Sequence, residues 1–247
     1  MNTSINLETL MNFKGYGNAK LARILFVGIE EGGEWKNEDM TEVNKKLQIR
    51  EKGYITRDEW HIDDKDWKEN KRNITDNMQA TLSFQIRTQV LRIPTEKEFE
   101  SFYNNEFCER IEFQANLFPL GSKGIRRGYP PHYHKYFEPT MKNKKKFKEY
   151  CVGIRTELII NFIHDIWMRG GYVFIMGKLL NRYLLDPIRD RLGIEFIEYD
   201  VQISERRIFR SFKSADQKIW FTGHPSYGWF NKKCVQLIID KITRSRN

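Results

Sequence analysis

Cysteine is scarce in this chain. Three residues, Cys108, Cys151 and Cys234, stand far apart among 247 positions. An odd, scattered set fits neither a disulfide framework nor a closely spaced metal or iron–sulfur ligand set. Long apolar runs are missing too: no stretch approaches the roughly 20 uninterrupted apolar residues that a membrane span needs. The first residues, Met1-Asn2-Thr3-Ser4, lack the pattern of a secretory signal. These absences set the expectation of a reduced, soluble, cytoplasmic protein. What the chain does have is an apolar fraction of 40% and 34 aromatic residues. That composition argues for a packed core and against disorder, in one large domain or two small ones.

Charge is plentiful and segregated. Lys and Arg number 42 against 33 Asp and Glu, a net charge of +9. Residues 121–150 and 204–247 each carry +7, whereas 30–70 carries −5. Segregation of this kind points to a face that meets a polyanion, with a merely solvated basic surface as the plain alternative.

Hydrophobic periodicity alternates between strands and helices. The run 23–29, Arg-Ile-Leu-Phe-Val-Gly-Ile, is short, apolar and rich in strand formers, and ends in Glu30-Glu31-Gly32-Gly33, a turn signal. Residues 71–93 predict a helix stopped by Pro94. Residues 111–117 predict a strand running into Phe118-Pro119-Leu120-Gly121. An apolar stripe over 154–168 predicts a helix ending at Gly170-Gly171. Residues 172–176 predict a second buried strand, followed by Gly177 and a helix through Leu184. Residues 219–222 predict a last short strand before Gly223-His224-Pro225-Ser226, and an amphipathic helix follows from Phe230 to Ile242.

Such alternation predicts an α/β fold, three layers α/β/α around a short, mainly parallel central sheet. One domain over 1–247 is expected, with long insertions at about 34–75 and 122–150. In parallel sheets ligands bind at the carboxyl ends of the strands. If the strands are neighbours, the carboxylates of Glu30 and Glu31, the carboxamide of Asn116 and the imidazole of His224 meet at one pocket. Each also has an ordinary explanation: a helix-capping acid, a turn residue, an exposed histidine.

Taken in order, these stretches resemble the uracil-DNA glycosylase superfamily. Its members carry a strand ending G-x-(D/N)-P-(Y/G), a strand with a base-reading Asn, a strand of form V-x-x-x-G, and a strand ending H-P-S. The matching positions are Gly28-Ile29-Glu30-Glu31-Gly32, Asn116, Val173 to Gly177, and His224-Pro225-Ser226. The resemblance covers roughly Lys20 to the C-terminus, with two long intervals unmatched. It implies a DNA glycosylase that flips a nucleotide out of the stack and hydrolyses its N-glycosidic bond, leaving an abasic site, without cofactor or metal. Glu30 takes the position that steadies the sugar cation and orients water. His224 takes that of the donor to the departing base, a contribution of about 3–4 kcal/mol for a preorganised donor. Asn116 would read the polar edge of the base, beside Phe118.

Two departures shape the expected specificity. Glu30 is a methylene longer than the usual Asp, and Glu31 stands where Pro is usual, so either carboxylate can act. Gly32 occupies the position where uracil-specific members carry an aromatic wall against C5 substituents. A glycine there admits a damaged or C5-modified pyrimidine, an expectation that extends to hypermodified phage cytosine, removed as defence, with uracil the weaker substrate. After His224, Ser226 and the bulky Tyr227 and Trp229 occupy the loop that fills the space left by the flipped base. The alternative for Trp229, and the preferred reading for Phe230, is the core face of the last helix.

DNA contacts are expected from Lys123, Arg126 and Arg127 and from the run containing Lys144, Lys145 and Lys146, with His132 and His134 as further phosphate partners and not metal ligands. The partner is thus DNA, with no membrane, and the protein is expected to be a monomer. Two other readings remain open at this point. One is a non-catalytic nucleic-acid binder on the same fold. The other is a metal-dependent nuclease using Asp63, Asp64 and Asp66, which otherwise form a solvated acidic turn.

Overall fold

The computed structural model describes residues 3–30, 40–56, 59, 74–108, 110–121, 129, 133, 137, 143–204, 207–225 and 228–244. In chain order the elements are α1 (Thr3–Asn12), β1 (Gly15–Gly17), β2 (Ile24–Glu30), α2 (Met40–Glu51), β3 (Tyr54–Ile55), α3 (Ile74–Thr88), α4 (Glu96–Asn105), β4 (Glu112–Phe118), α5 (Lys144–Met168), β5 (Tyr172–Met176), α6 (Lys178–Leu192), β6 (Phe196–Ser204), β7 (Arg207–Ser214), β8 (Ile219–Thr222) and α7 (Lys232–Arg244). The strands form one eight-stranded sheet in the order β3-β1-β4-β2-β5-β8-β7-β6.

Four strands at its centre, β4, β2, β5 and β8, run parallel. The outer strands make the sheet mixed. β1 is antiparallel to β4, and the β6–β7 hairpin adds two antiparallel strands beyond β8. The sheet is therefore long and mixed, not short and mainly parallel as expected. The expectation came from the apolar runs alone, and those mark only strands buried on both faces.

Alternation along β2 shows how both faces are covered. Leu25, Val27 and Ile29 join a cluster with Leu10 of α1, Val43 of α2, Ile159 of α5 and Leu184 of α6. Ile24 and Phe26 join another with Leu82 of α3, Phe102 of α4 and Ile238 of α7. Helices on both faces are compatible with the three expected layers. Each fully buried aliphatic or Phe side chain contributes about 1.5–3 kcal/mol relative to an exposed one. No helix among the described residues is long and apolar enough to cross a membrane.

Helix boundaries differ from the periodic reading in instructive ways. Helix α3 ends at Thr88, where Gln89 adopts a left-handed conformation (φ 57°), well before Pro94. Helix α6 continues past Leu184 through Pro187 to Leu192, because Leu180, Leu184 and Ile188 anchor one buried face across the proline. Helix α5 starts at Lys144, ten residues before the expected stripe, with Asn143 as N-cap accepting from the backbone of Lys145 and Lys146. The last part of the expected 122–150 insertion is thus the first turns of a core helix. The expected 34–75 insertion likewise supplies α2, the edge strand β3 and the first residues of α3.

Candidate active site

Strand register brings the proposed site residues to one edge. Residues Gly28 and Asn116 are paired across β2 and β4, and so are Glu30 and Phe118. Strand β5 lies on the other side of β2, and β8 beside β5, with Met176 opposite Thr222. All four parallel strands end at the same edge, so Glu30, Asn116, Gly177 and the residues after Thr222 emerge together. Gly177, which caps α6, has a φ of 125°; a β-carbon there would lie 3.8 Å from the β-carbon of His224 and against the side chain of Ile29. His224 thus lies at the end of β5, one strand from Glu30.

Asn116 is half-buried, and its carboxamide oxygen occupies the space a β-carbon on Gly28 would need. No hydrogen bond to that carboxamide is found among the described residues. Its main chain is held firmly. The guanidinium of Arg155 donates to Asn116 O through Nε at 3.2 Å and Nη2 at 2.8 Å. Its Nη1 donates to the carbonyls of Leu10, Met11 and Phe13 at 3.3, 2.8 and 2.6 Å. Arg155 is fully buried, and the carbonyl end of α1 is a favourable place for its charge. It stands in a buried series on α5 at four-residue spacing, Phe147, Cys151, Arg155, Ile159 and Ile163. A single arginine inside such a stripe is a signal the sequence offers; starting the stripe at Ile154, itself exposed, hid it.

Glu30 differs most from expectation. Its carboxylate is 8% exposed and lies between two ammonium groups one turn apart on α5, with Lys148 Nζ 2.6 Å and Lys144 Nζ 3.3 Å from Oε1. Each lysine also rests on an aromatic ring: Lys144 Nζ lies 4.9 Å from the Tyr129 centroid and Lys148 Nζ 4.7 Å from that of Phe118. Burial pushes the Lys144 ammonium below the ordinary lysine range; the Glu30 charge opposes this and the Lys148 charge adds to it. Sequence reasoning grouped Lys144 with Lys145 and Lys146 as phosphate contacts. Only the latter two are exposed, and among the described residues Lys145 reaches no closer to an acid than 4.0 Å, to Glu149. Lys148, read in the sequence only as the end of a phosphate-binding lysine run, pairs with Glu30 instead. Its spacing of four from Lys144 was the available clue.

His224 is half-buried, and burial lowers its pKa, so the imidazole is neutral near pH 7. Phe118 is fully buried at the end of β4. Phe230 is in the core, as preferred, and Trp229 packs against it from the same side, its ring 5.8 Å from that of Phe209. Glu31, Gly32, Lys123, Arg126, Arg127, His132, His134, Ser226 and Tyr227 lie outside the described residues, as do Asp63, Asp64 and Asp66. Among the described residues no group of three or more His, Cys, Asp or Glu is placed to hold a metal ion.

Compared with protein-family models, with curated proteins and with solved structures, the chain gives no match.

Proposed function

We propose that this chain is a DNA glycosylase of the uracil-DNA glycosylase type, hydrolysing the N-glycosidic bond of a flipped-out, damaged or C5-modified pyrimidine. The reading is carried by one observation: the four stretches that resemble the family's motifs end at the same edge of neighbouring parallel strands, with Asn116 in register with Gly28 and His224 beside Gly177.

In this reading Asn116 supplies a donor and an acceptor to the polar edge of the base, its backbone anchored by Arg155. Neutral His224 donates to the base oxygen on which negative charge develops. Glu30 faces the sugar as positive charge builds there, its carboxylate oriented by Lys144 and Lys148. Lys145 and Lys146, on the outer side of the same helix turn, offer their charge to backbone phosphates. Glycine at position 32, where uracil-specific relatives carry an aromatic, is the sequence feature behind the choice of a C5-modified base. Removal of hypermodified cytosine from phage DNA is the corresponding biological role.

The test is incubation with a panel of duplex and single-stranded DNAs carrying uracil, mismatched, damaged and C5-modified pyrimidines, with mass spectrometry of released free bases. Release of a free base from an intact strand, in the presence of EDTA, supports the reading; a panel without release removes it. A second reading takes support from the two cations on Glu30. A carboxylate whose charge is already compensated steadies a sugar cation less, which suits a non-catalytic binder on the same fold. That reading expects tight DNA binding with no abasic product.

A further inference from the structure

Glu30 and its lysines also fit a second step, one that follows base release. A carboxylate sharing its charge with two ammonium groups is a weakened anion, yet it is well placed to take a proton from one of them. We propose that Lys144 is the nucleophile of a second activity at this site, opening the DNA strand at the abasic sugar through an imine. The proposal rests on the glycosylase reading for its substrate, because an abasic deoxyribose in its ring-opened form presents an aldehyde at C1′.

Geometry distinguishes the two lysines. Lys148 lies close on Glu30, at 2.6 Å, and serves as its fixed counter-charge. Lys144 is held more loosely, at 3.3 Å and 3.5 Å from the two carboxylate oxygens, and its amine lies over the ring of Tyr129. It is the first residue of α5, where the positive end of a 25-residue helix disfavours an ammonium. A second cation one turn away and burial act in the same direction, and these are the conditions that make a lysine amine nucleophilic. Burial lowers its pKa accordingly.

The steps balance without any further reagent. Lys144 transfers a proton to Glu30, and the neutral amine adds to C1′; the carbonyl electron pair moves to oxygen, which is protonated from Glu30. The added nitrogen gives a proton to the Glu30 carboxylate, which passes it to that oxygen, and the nitrogen's lone pair then expels the oxygen as water, leaving a protonated imine. The Glu30 carboxylate next removes a proton from C2′. Those electrons form the C2′–C3′ double bond while the C3′–O bond breaks, its pair departing with the phosphate. Water finally adds to the imine, releasing an unsaturated aldehyde and returning the amine.

The experiment uses the full chain and an oligonucleotide carrying a preformed aldehydic abasic site, so that base release is not required. Borohydride is present to reduce any imine to a stable amine. The expected result is a covalent protein–DNA adduct, with peptide mass spectrometry placing it on Lys144. The adduct should disappear in Lys144→Arg and persist in Lys97→Arg, a change at an exposed lysine of α4. Mapping in the wild-type chain keeps the outcome decisive even if the arginine variant folds poorly. No adduct, or an adduct on Lys148 or elsewhere, overturns the proposal. An adduct here with no base released from the modified panel leaves the lyase step standing and removes the glycosylase reading. Base release without an adduct does the reverse.

Discussion

Gly28 and Asn116 are locked together: the carboxamide oxygen of Asn116 fills the volume that any side chain at position 28 would occupy. The contact follows from the parallel register of β2 and β4, which sets the two residues opposite each other on one face of the sheet. A glycine in the middle of a buried strand costs stability relative to a β-branched residue, and here the absent side chain positions a polar group at the strand ends.

Gly28→Ala should therefore turn Asn116 aside. Misplacement by about an ångström is enough to cost about 100-fold in rate, and base release should fall to that extent with melting little changed. Steady-state kinetics on the best base of the panel, beside a melting curve, checks this; unaltered kinetics would detach Asn116 from base reading.

The two catalytic candidates should respond separately. His224→Ala removes a preorganised donor and should lower kcat by about 10²–10³-fold while DNA binding, read by fluorescence anisotropy, stays within a few-fold. Glu30→Gln should also lose most activity. It leaves Lys144 and Lys148 facing a neutral amide, so a melting curve should show a loss of about 1–3 kcal/mol as well. Full activity in both variants would remove the glycosylase assignment.

Acid should weaken the fold through His224. Its pKa is lowered from 6.5 by burial, so below that value the unfolded chain binds a proton that the folded chain refuses. Stability is level above about pH 6.5 and declines as pH falls toward the folded pKa. Melting temperatures of the wild type should drop relative to His224→Gln between about pH 7.5 and about pH 5.5. A constant difference would mean the imidazole is not held neutral.

Glu112 should act with the opposite sign. It is fully buried at the start of β4, accepting from Ser83 Oγ and from the Cys108 backbone, with Arg87 at 3.4 Å. Burial raises its pKa above 4.5, so the folded chain keeps a proton that the unfolded chain gives up. Its contribution is present below pH 4.5 and is lost as pH rises through the folded pKa. Relative to Glu112→Gln, the wild type should lose denaturant midpoint as pH climbs from that value. A flat comparison would place a charged carboxylate in the core.

Phosphate contact is expected of the exposed lysines only. Replacing Lys145 and Lys146 together by alanine should flatten the slope of log binding constant against log salt by up to about 1.8, some 0.9 for each neutralised phosphate. An unchanged slope would move the DNA path away from the start of α5.

The central parallel strands and the last helix were legible because burial on two faces, or on one helical face, writes a regular apolar pattern into the chain. The β6–β7 hairpin carries its own pattern in Ile197, Tyr199 and Val201 of β6, apolar positions spaced two apart and separated by polar residues. It was missed because the reading favoured continuous apolar runs. Nothing in local sequence could pair Glu30 with Lys144, 114 residues away, or set Arg155 between α1 and Asn116.

By itself the sequence determined which segments must be buried, and hence that strands and helices alternate, since the hydrophobic effect acts on each residue where it stands. Tertiary structure alone decided the mixed outer strands, the approach of His224 to Gly177 and the cations on Glu30. Those depend on which distant surfaces meet, and electrostatic partnership, unlike burial, has no period along the chain from which to read it.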